Sequence, residues 1–198
     1  MNLIDRLDHL DRALFLEMNS WNTPALDSVM WYISHPVYWL PVYIIFILAA
    51  RKKYGIMGIL WLLIGIGLVV LLADNIHREC FKEVFHRLRP SRNSELDDLV
   101  HLVTPPGKED FYKGGKYGFI SGHAANFTGI AIFVLSFLKL NRTLTIVILC
   151  WAALISFSRI YLGVHYPGDI LGGTLLGIAV GSLAYYLVKR FLIKDKVR

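Results

Sequence analysis

Long apolar stretches separated by short polar ones dominate this sequence of 198 residues. Five stretches contain no Asp, Glu, Lys or Arg: residues 28–50, 54–73, 122–138, 143–158 and 170–188. About 20 apolar residues cross a bilayer as a helix, with roughly 17 to 25 being usual. The stretch 143–158 is short on this scale, and residues 160–164 can extend it past Arg159. The pattern predicts an all-α fold, a polytopic membrane helix bundle with about five transmembrane helices.

The first 19 residues follow a helical pattern of a different kind. Leu3, Ile4, Leu7, Leu10 and Leu14 recur at spacings of three and four residues, which is typical of an amphipathic helix. We therefore assign residues 1–22 to an interfacial helix on the outer membrane surface. Its polar face carries acids as well as arginines, so attraction to anionic lipid does not explain its presence.

Prolines and glycines indicate how the remaining chain is organised. His35–Pro36 and Pro41 predict a kink or break in the first apolar stretch. The longest polar segment, 91–118, is too short for a second domain and is assigned to an extracytoplasmic loop, so residues 1–198 form a single domain. The last apolar stretch carries a ridge of small residues, which indicates close helix packing: Gly173, Gly177 and Gly181.

The composition supports a membrane protein and argues against a nucleic-acid partner. The chain is 55% hydrophobic, with a mean hydropathy of +0.49, and only 18% charged, whereas a typical soluble domain has about 25% charged residues. The net charge of +6 is concentrated in segments 51–53, 139–142 and 189–198, which together contain one acid, Asp195. By the positive-inside rule these segments lie on the cytoplasmic side of the membrane, with the N-terminus outside and the C-terminus inside.

Three short polar segments lie at the outer ends of the predicted helices, on one side of the membrane. The first, KEVFHRLRP, contains Lys82 and Arg89. Their separation is close to two helical turns, so on a helix they share a face about 10 Å apart along the axis, and Pro90 then ends the helix. Two such cations can converge on a single anion. The alternative is a cationic face that reaches to lipid headgroups.

The second segment is Ser121–Gly122–His123, at the start of the third apolar stretch. Serine is a favoured N-cap, and the backbone N–H groups that follow it have no helical partner. A helix N-terminus with a glycine is suited to binding an anion, and His123 lies in its first turn. The alternative is a capped helix with an interfacial histidine.

The third segment, SRIYLGVHYPGD, places Arg159, His165 and Asp169 between two apolar stretches. Ionisable groups beside a bilayer core are costly, which favours a functional site. Asp169 can orient one imidazole nitrogen of His165 and leave the other free, as in a base, a nucleophile or a metal ligand. A purely structural pair is the alternative. Together the three segments supply three cations, a helix N-terminus and two histidines, an inventory that suits phosphate.

The spacing of these segments resembles the three-part signature of the type 2 phosphatidic acid phosphatase superfamily, which also includes vanadium haloperoxidases and bacterial membrane lipid phosphatases. Lys82, six residues and Arg89–Pro90 are followed by Ser-Gly-His at 121–123, and then by Ser158–Arg159, five residues, His165, three residues and Asp169. The resemblance covers residues 54–190. Ile120 stands where the family usually has proline, a departure that removes no catalytic group.

The resemblance implies a role for each matching residue. His165 is the expected nucleophile, Asp169 fixes its tautomer, and His123 protonates the leaving oxygen and then activates water. The expected phosphate-binding residues are Lys82, Arg89, Ser121, Gly122 and Arg159. No metal or other cofactor is expected, because three cations and a helix end can neutralise the phosphoryl oxygens. His86, on the same predicted helical stripe as Lys82, is a further candidate for lining the pocket and affecting headgroup choice.

These assignments predict a lipid phosphatase that acts at the extracytoplasmic face, with a lipid phosphate and the bilayer as partners and no nucleic acid. The resemblance implies that its membrane is a bacterial inner membrane. By resemblance, undecaprenyl pyrophosphate is the favoured substrate. Phosphatidylglycerophosphate, phosphatidate and lipid A phosphates are alternatives, as is phosphotransfer. The two histidines and Asp169 can also bind zinc or iron, a hypothesis that leaves the cations unexplained. An anion-binding transporter is the non-enzymatic alternative, and the oligomeric state is open.

Overall fold

The computed structural model describes residues 3–193, most of which are helical. The main helices are α1 (Leu3–Asn19), α2 (Pro24–Ser34), α3 (Leu40–Ile76), α4 (Gly122–Leu138), α5 (Arg142–Tyr161) and α6 (Pro167–Val188). Shorter elements are 3₁₀ turns at Pro36–Trp39, Pro90–Arg92 and Ser94–Leu96, π-helices at His77–Lys82 and Lys189–Ile193, and one helical turn at Glu83–Phe85. The described residues contain no β-strand, so the all-α prediction is confirmed. Two predicted segments extend beyond this range: the interfacial helix by residues 1–2, and the basic C-terminal segment by residues 194–198.

Within the described range, three helical segments are long and apolar enough to cross a membrane: Pro36–Phe85, Arg142–Tyr161 and Pro167–Phe191. The apolar helix Gly122–Leu138 is shorter. These helices are those of an integral membrane protein. The count of five spans stays a prediction.

The segment Pro36–Phe85 is 50 residues long because it contains two helices joined by a reversal. Gly55 breaks the helical conformation with φ 66° and ψ −158°, a region that glycine adopts without steric cost. A Cβ on Gly58 would lie 3.1 Å from the carbonyl carbon of Ala50, although eight residues of a straight helix rise about 12 Å. The chain therefore turns back at Gly55, and the apolar runs before and after it lie side by side.

The predicted span 28–50 is not one helix. Helix α2 ends at Ser34, His35 is extended with ψ 123°, and a 3₁₀ turn leads into α3. The break predicted at His35–Pro36 is therefore confirmed. Helix α2 packs against α5, where the hydroxyl of Tyr161 donates a 2.7 Å hydrogen bond to Asp27.

Helices α4 and α6 run parallel and make backbone contact. A Cβ on Gly173, Gly177 or Gly181 would lie within 2.6 Å of a carbonyl oxygen of α4 or its N-cap. The three oxygens belong to residues 121, 125 and 129, so each step of four residues on α6 matches one on α4. The ridge of small residues predicted for close packing is the contact surface, and it holds the two helix N-termini at the same end of the bundle.

Helix α1 is amphipathic, as its sequence pattern predicts. Its leucine and isoleucine stripe faces outward: Leu3, Ile4, Leu7, Leu10 and Leu14 are each at least 45% exposed. Its other face is anchored to the protein, because Phe15 is fully buried 5.4 Å from the Tyr166 ring. Asn19 is also buried and donates to the carbonyls of Ile160 and Tyr161. Its position on a membrane surface stays a prediction.

The contact between α4 and α6 predicts an unequal response to alanine at two glycines. Gly177→Ala should lower the free energy of unfolding by about 1–3 kcal/mol, because its Cβ would overlap backbone atoms that cannot rotate away. Gly67→Ala in α3 is the matched control, since nothing lies within 4 Å of its added Cβ. Thermal unfolding in detergent measures both variants. Equal midpoints would contradict the packing described here.

Candidate active site

Backbone hydrogen bonds bring the three polar segments together. The N–H of Ser121 donates to the carbonyl of Asp169 at 2.9 Å, which joins the start of α4 to the start of α6. The N–H of Ser91 donates to Gly163 O at 3.0 Å, which joins the segment after Arg89 to the link between α5 and α6. The predicted convergence of the three segments is therefore present in the fold.

His165 and Asp169 form a buried pair at the start of α6. Asp169 Oδ2 accepts the backbone N–H of Tyr166 at 3.0 Å and lies 3.2 Å from His165 Nδ1. On the other side of the ring, Arg89 Nη1 lies 3.2 Å from His165 Nε2. Because a carboxylate only accepts and a guanidinium only donates, Nδ1 carries the proton and Nε2 presents its lone pair. Both partners thus select the tautomer that a nucleophile at Nε2 requires.

The surroundings of His165 keep its imidazole neutral. Burial lowers the pKa of His165 well below its usual range, and the charges of Arg89 and Arg159 lower it further. The ring is 2% exposed, so bulk water does not compete for Nε2. At neutral pH Nε2 therefore keeps its lone pair, which faces the guanidinium of Arg89.

Arg89 and Arg159 are buried, and no carboxylate among residues 3–193 forms a salt bridge with either of them. Arg89 donates to the backbone carbonyls of Tyr117 and Val164. Burial and repulsion from Arg159 lower the pKa of Arg89 to about 10, so it stays charged at neutral pH. Arg159 donates to Ser34 Oγ and to the hydroxyl of Tyr112. Its buried Nε has no hydrogen-bond partner among the described residues, so a donor is left for an anion.

The other predicted residues surround the same point. Lys82 is half-buried and lies within electrostatic range of both arginines and Asp169. Ser121 Oγ accepts the N–H of Ala124 and caps α4. His123, in the first turn of α4, has Arg159 and His165 among its electrostatic neighbours. The arrangement suits a tetrahedral oxyanion held beside an imidazole nucleophile.

The prediction that Lys82, His86 and Arg89 share one face of a continuous helix is wrong. The helix ends at Phe85, His86 is left-handed with φ 47°, and Arg89 is extended with ψ 154°. The chain leaves the helix because Arg87 and Arg89 exchange backbone hydrogen bonds with residues 116 and 118. His86 is exposed and contacts the Tyr117 ring at 4.8 Å. Its effect on headgroup choice stays a prediction.

Three residues near the site were not predicted from the sequence. Tyr112 lies in the long polar loop and contacts Arg159. His77 lies over the start of α4, with its Nε2 2.9 Å from the position of a Cβ on Gly122. Arg87 donates to Asp169 Oδ1 at 3.0 Å. Their sequence neighbours gave no signal for these contacts, which depend on distant parts of the chain.

Comparison with known proteins agrees with this geometry. The sequence profile of the PAP2 superfamily matches residues 58–193. The chain belongs to the PAP2 superfamily. This PAP2 protein is 33% identical over 189 residues to a lipid A 4'-phosphatase of Bacteroides thetaiotaomicron, covering 95% of this chain and 81% of the relative. It is 36% identical over 183 residues to a lipid A 4'-phosphatase of Porphyromonas gingivalis, covering 91% and 75%.

A solved structure supports the same assignment for the fold. The transmembrane PAP2 type phosphatidylglycerolphosphate phosphatase of Bacillus subtilis aligns with a TM-score of 0.64 and 26% identity, over 98% of this chain and 88% of that one. The predicted family resemblance is therefore confirmed, and this PAP2 protein is a phosphatase.

The unpaired Nε of Arg159 predicts a contribution to oxyanion binding. Arg159→Gln should weaken inhibition by orthovanadate about 10- to 100-fold, because a charged hydrogen-bond donor to the anion is lost. Arg92→Gln is the control, since Arg92 is exposed and donates to the carbonyl of Gly114. The inhibition constant of orthovanadate is measured for the wild type and both variants, with a soluble phosphate ester as substrate. Equal constants for wild type and Arg159→Gln would contradict the role of Arg159.

Proposed function

We propose that this PAP2 protein removes a phosphate group from a phosphorylated glycolipid of the lipid A type. The observation that carries the proposal is the similarity to two lipid A 4'-phosphatases over at least 91% of this chain. The His165–Asp169 pair beside two buried arginines supports hydrolysis of a phosphomonoester. A lipid substrate also fits a site at the ends of apolar helices.

The reaction proceeds in two steps. His165 Nε2 attacks phosphorus, an N–P bond forms, and the P–O bond to the lipid breaks as His123 gives a proton to the departing oxygen. Water then attacks the phosphohistidine, His123 takes its proton, and the N–P bond breaks to release phosphate and His165. Lys82, Arg89 and Arg159 with the start of α4 hold the phosphoryl oxygens, which is most of what phosphoryl transfer requires.

Undecaprenyl pyrophosphate, the substrate favoured by the family resemblance, is not confirmed. An undecaprenyl-diphosphatase of Sulfolobus acidocaldarius is 29% identical over 175 residues, less than either lipid A 4'-phosphatase. The alternative of a phosphomonoester on a glycolipid is better supported. Phosphatidylglycerophosphate is the next candidate.

The electrostatics of the site favour an anion over a metal ion. His165 Nε2, the nitrogen not held by Asp169, faces the guanidinium of Arg89 at 3.2 Å. A divalent cation at this nitrogen would be repelled by Arg89 and Arg159, whereas a phosphate would neutralise both. The proposed reaction therefore runs without a metal.

The proposed topology has five spans, with the two halves of α3 counted separately. The reversal at Gly55 follows the basic residues 51–53, and Lys53 donates to the carbonyl of Leu138 at the end of α4. Basic residues thus share the end of the bundle opposite to His165, and the positive-inside rule places that end in the cytoplasm. The active site then faces the periplasm.

Phosphate release tests the proposed function. In EDTA, the purified protein should release phosphate from lipid A faster than from undecaprenyl pyrophosphate or phosphatidylglycerophosphate. His165→Ala should lower the rate by about 10³-fold or more, because the nucleophile is lost. His9→Ala is the control, since His9 is exposed on α1. A requirement for an added divalent metal, or retained activity in His165→Ala, would contradict the mechanism, and a faster rate with another lipid would overturn the substrate.

Cysteine labelling tests the topology. Cys80 and Cys150 are exposed and free, so both are first replaced by serine. Ser94→Cys, in the long polar loop, should then react with a membrane-impermeant maleimide added to intact cells. Lys52→Cys, at the opposite end of the bundle, should react only after lysis. The reverse labelling pattern would invert the orientation.

A further inference from the structure

Arg87 occupies a position that neither the family signature nor the reaction explains. Its guanidinium lies behind the catalytic pair, on the side of Asp169 away from His165. Nη1 donates to Asp169 Oδ1 at 3.0 Å, whereas Oδ2 of the same carboxylate serves His165 and the N–H of Tyr166. Arg87 and His165 therefore hold opposite oxygens of one buried carboxylate.

Two acids of α1 hold Arg87 in this place. Asp11 Oδ2 lies 2.8 Å from Nη1, and Asp8 Oδ1 lies 2.9 Å from Nη2. The guanidinium carbon also lies 4.1 Å from the centre of the Tyr166 ring. Three carboxylates and an aromatic face thus surround one cation, and its planar fork has little freedom to rotate.

Helix α1 is itself fixed against the start of α6. Asp11 Oδ1 accepts the backbone N–H of Gly168 at 2.7 Å, one residue before Asp169. A Cβ on Gly168 would lie 2.7 Å from this carboxylate, so a side chain at this position would displace the carboxylate of Asp11. Asp11 therefore contacts both Arg87 and the helical turn that carries Asp169.

The charges divide the four arginine and lysine residues around the catalytic pair into two groups. Lys82, Arg89 and Arg159 have no described contact with a carboxylate closer than 4 Å and remain available for phosphate. Arg87 is neutralised by Asp8, Asp11 and Asp169. A fully buried carboxylate without a cation is costly, and Asp169 is 0% exposed. Arg87 supplies that cation without a position in the phosphate site.

We propose that Arg87 is a positioning residue for the reaction, and that α1 completes the active site by holding Arg87 against Asp169 through Asp8 and Asp11. This inference rests on the proposed role of His165 as nucleophile. It also explains why the polar face of α1 carries acids, which attraction to anionic lipid does not explain. Arg87 acts through Asp169 and does not touch the substrate.

Kinetics with para-nitrophenyl phosphate, a soluble phosphate ester, tests the proposal without depending on the lipid. Arg87→Gln should lower kcat about 10- to 100-fold and leave KM within about twofold, because no contact with the ester is lost. Arg87→Lys should recover part of kcat, since the charge remains but the fork is lost. Asp8→Asn combined with Asp11→Asn should lower kcat less than Arg87→Gln does. Glu17→Gln, an exposed acid on α1, is the control and should match the wild type.

A double-mutant cycle separates positioning from a purely structural role. If Arg87 acts through Asp169, then Arg87→Gln should change kcat by less than about twofold in an Asp169→Asn background. Equal effects in both backgrounds, a selective rise in KM, or a wild-type kcat in Arg87→Gln would each overturn the proposal. If Arg87→Gln does not fold, the same cycle is run with Arg87→Lys. Failure of the wild type to hydrolyse any phosphate ester would instead contradict the proposed function.

Discussion

The backbones of helices α4 and α6 are in direct contact at three glycines of α6. A side chain at residue 173, 177 or 181 would overlap the backbone of α4 or of its N-cap. Inside a bilayer, helices associate through such close packing, since lipid is as apolar as the side chains. The same close packing allows the N–H of Ser121 to donate a hydrogen bond to the carbonyl of Asp169. The start of α4, proposed to bind the phosphate, and the His165–Asp169 pair at the start of α6 are therefore held together by backbone contacts, and the geometry of the proposed reaction depends on them.

The cations of the site differ in how their charge is balanced. Arg89 and Arg159 donate to carbonyl and hydroxyl oxygens, which orient them without neutralising them. Arg87 is neutralised by carboxylates. Burying two uncompensated guanidinium groups costs free energy in the absence of ligand, and the phosphate of the proposed reaction would recover it. The site is thus organised in advance for an oxyanion, as electrostatic catalysis requires.

Features carried by local pattern could be predicted from the sequence, and features that depend on distant partners could not. The outward stripe of α1, the break at His35–Pro36 and the glycine ridge of α6 follow from spacing and proline chemistry. The end of the helix at Phe85 does not, because residues 87 and 89 form hydrogen bonds with residues 116 and 118. The contact of Tyr112 with Arg159 joins residues 47 apart, and no nearby residue signals it.

The part of the chain before the matched superfamily region reaches both sides of the active site. That region begins at residue 58, yet Ser34 of α2 bonds to Arg159 and Asp11 of α1 bonds to Arg87 and Gly168. The alignment with the lipid A 4'-phosphatase of Bacteroides thetaiotaomicron covers 95% of this chain and so includes most of these first helices. The proposed nucleophile and phosphate-binding residues all lie within the superfamily region, whereas α1 contacts Arg87 and α2 contacts Arg159. The contacts that hold Arg87 and Arg159 therefore come partly from helices that lie before the matched superfamily region.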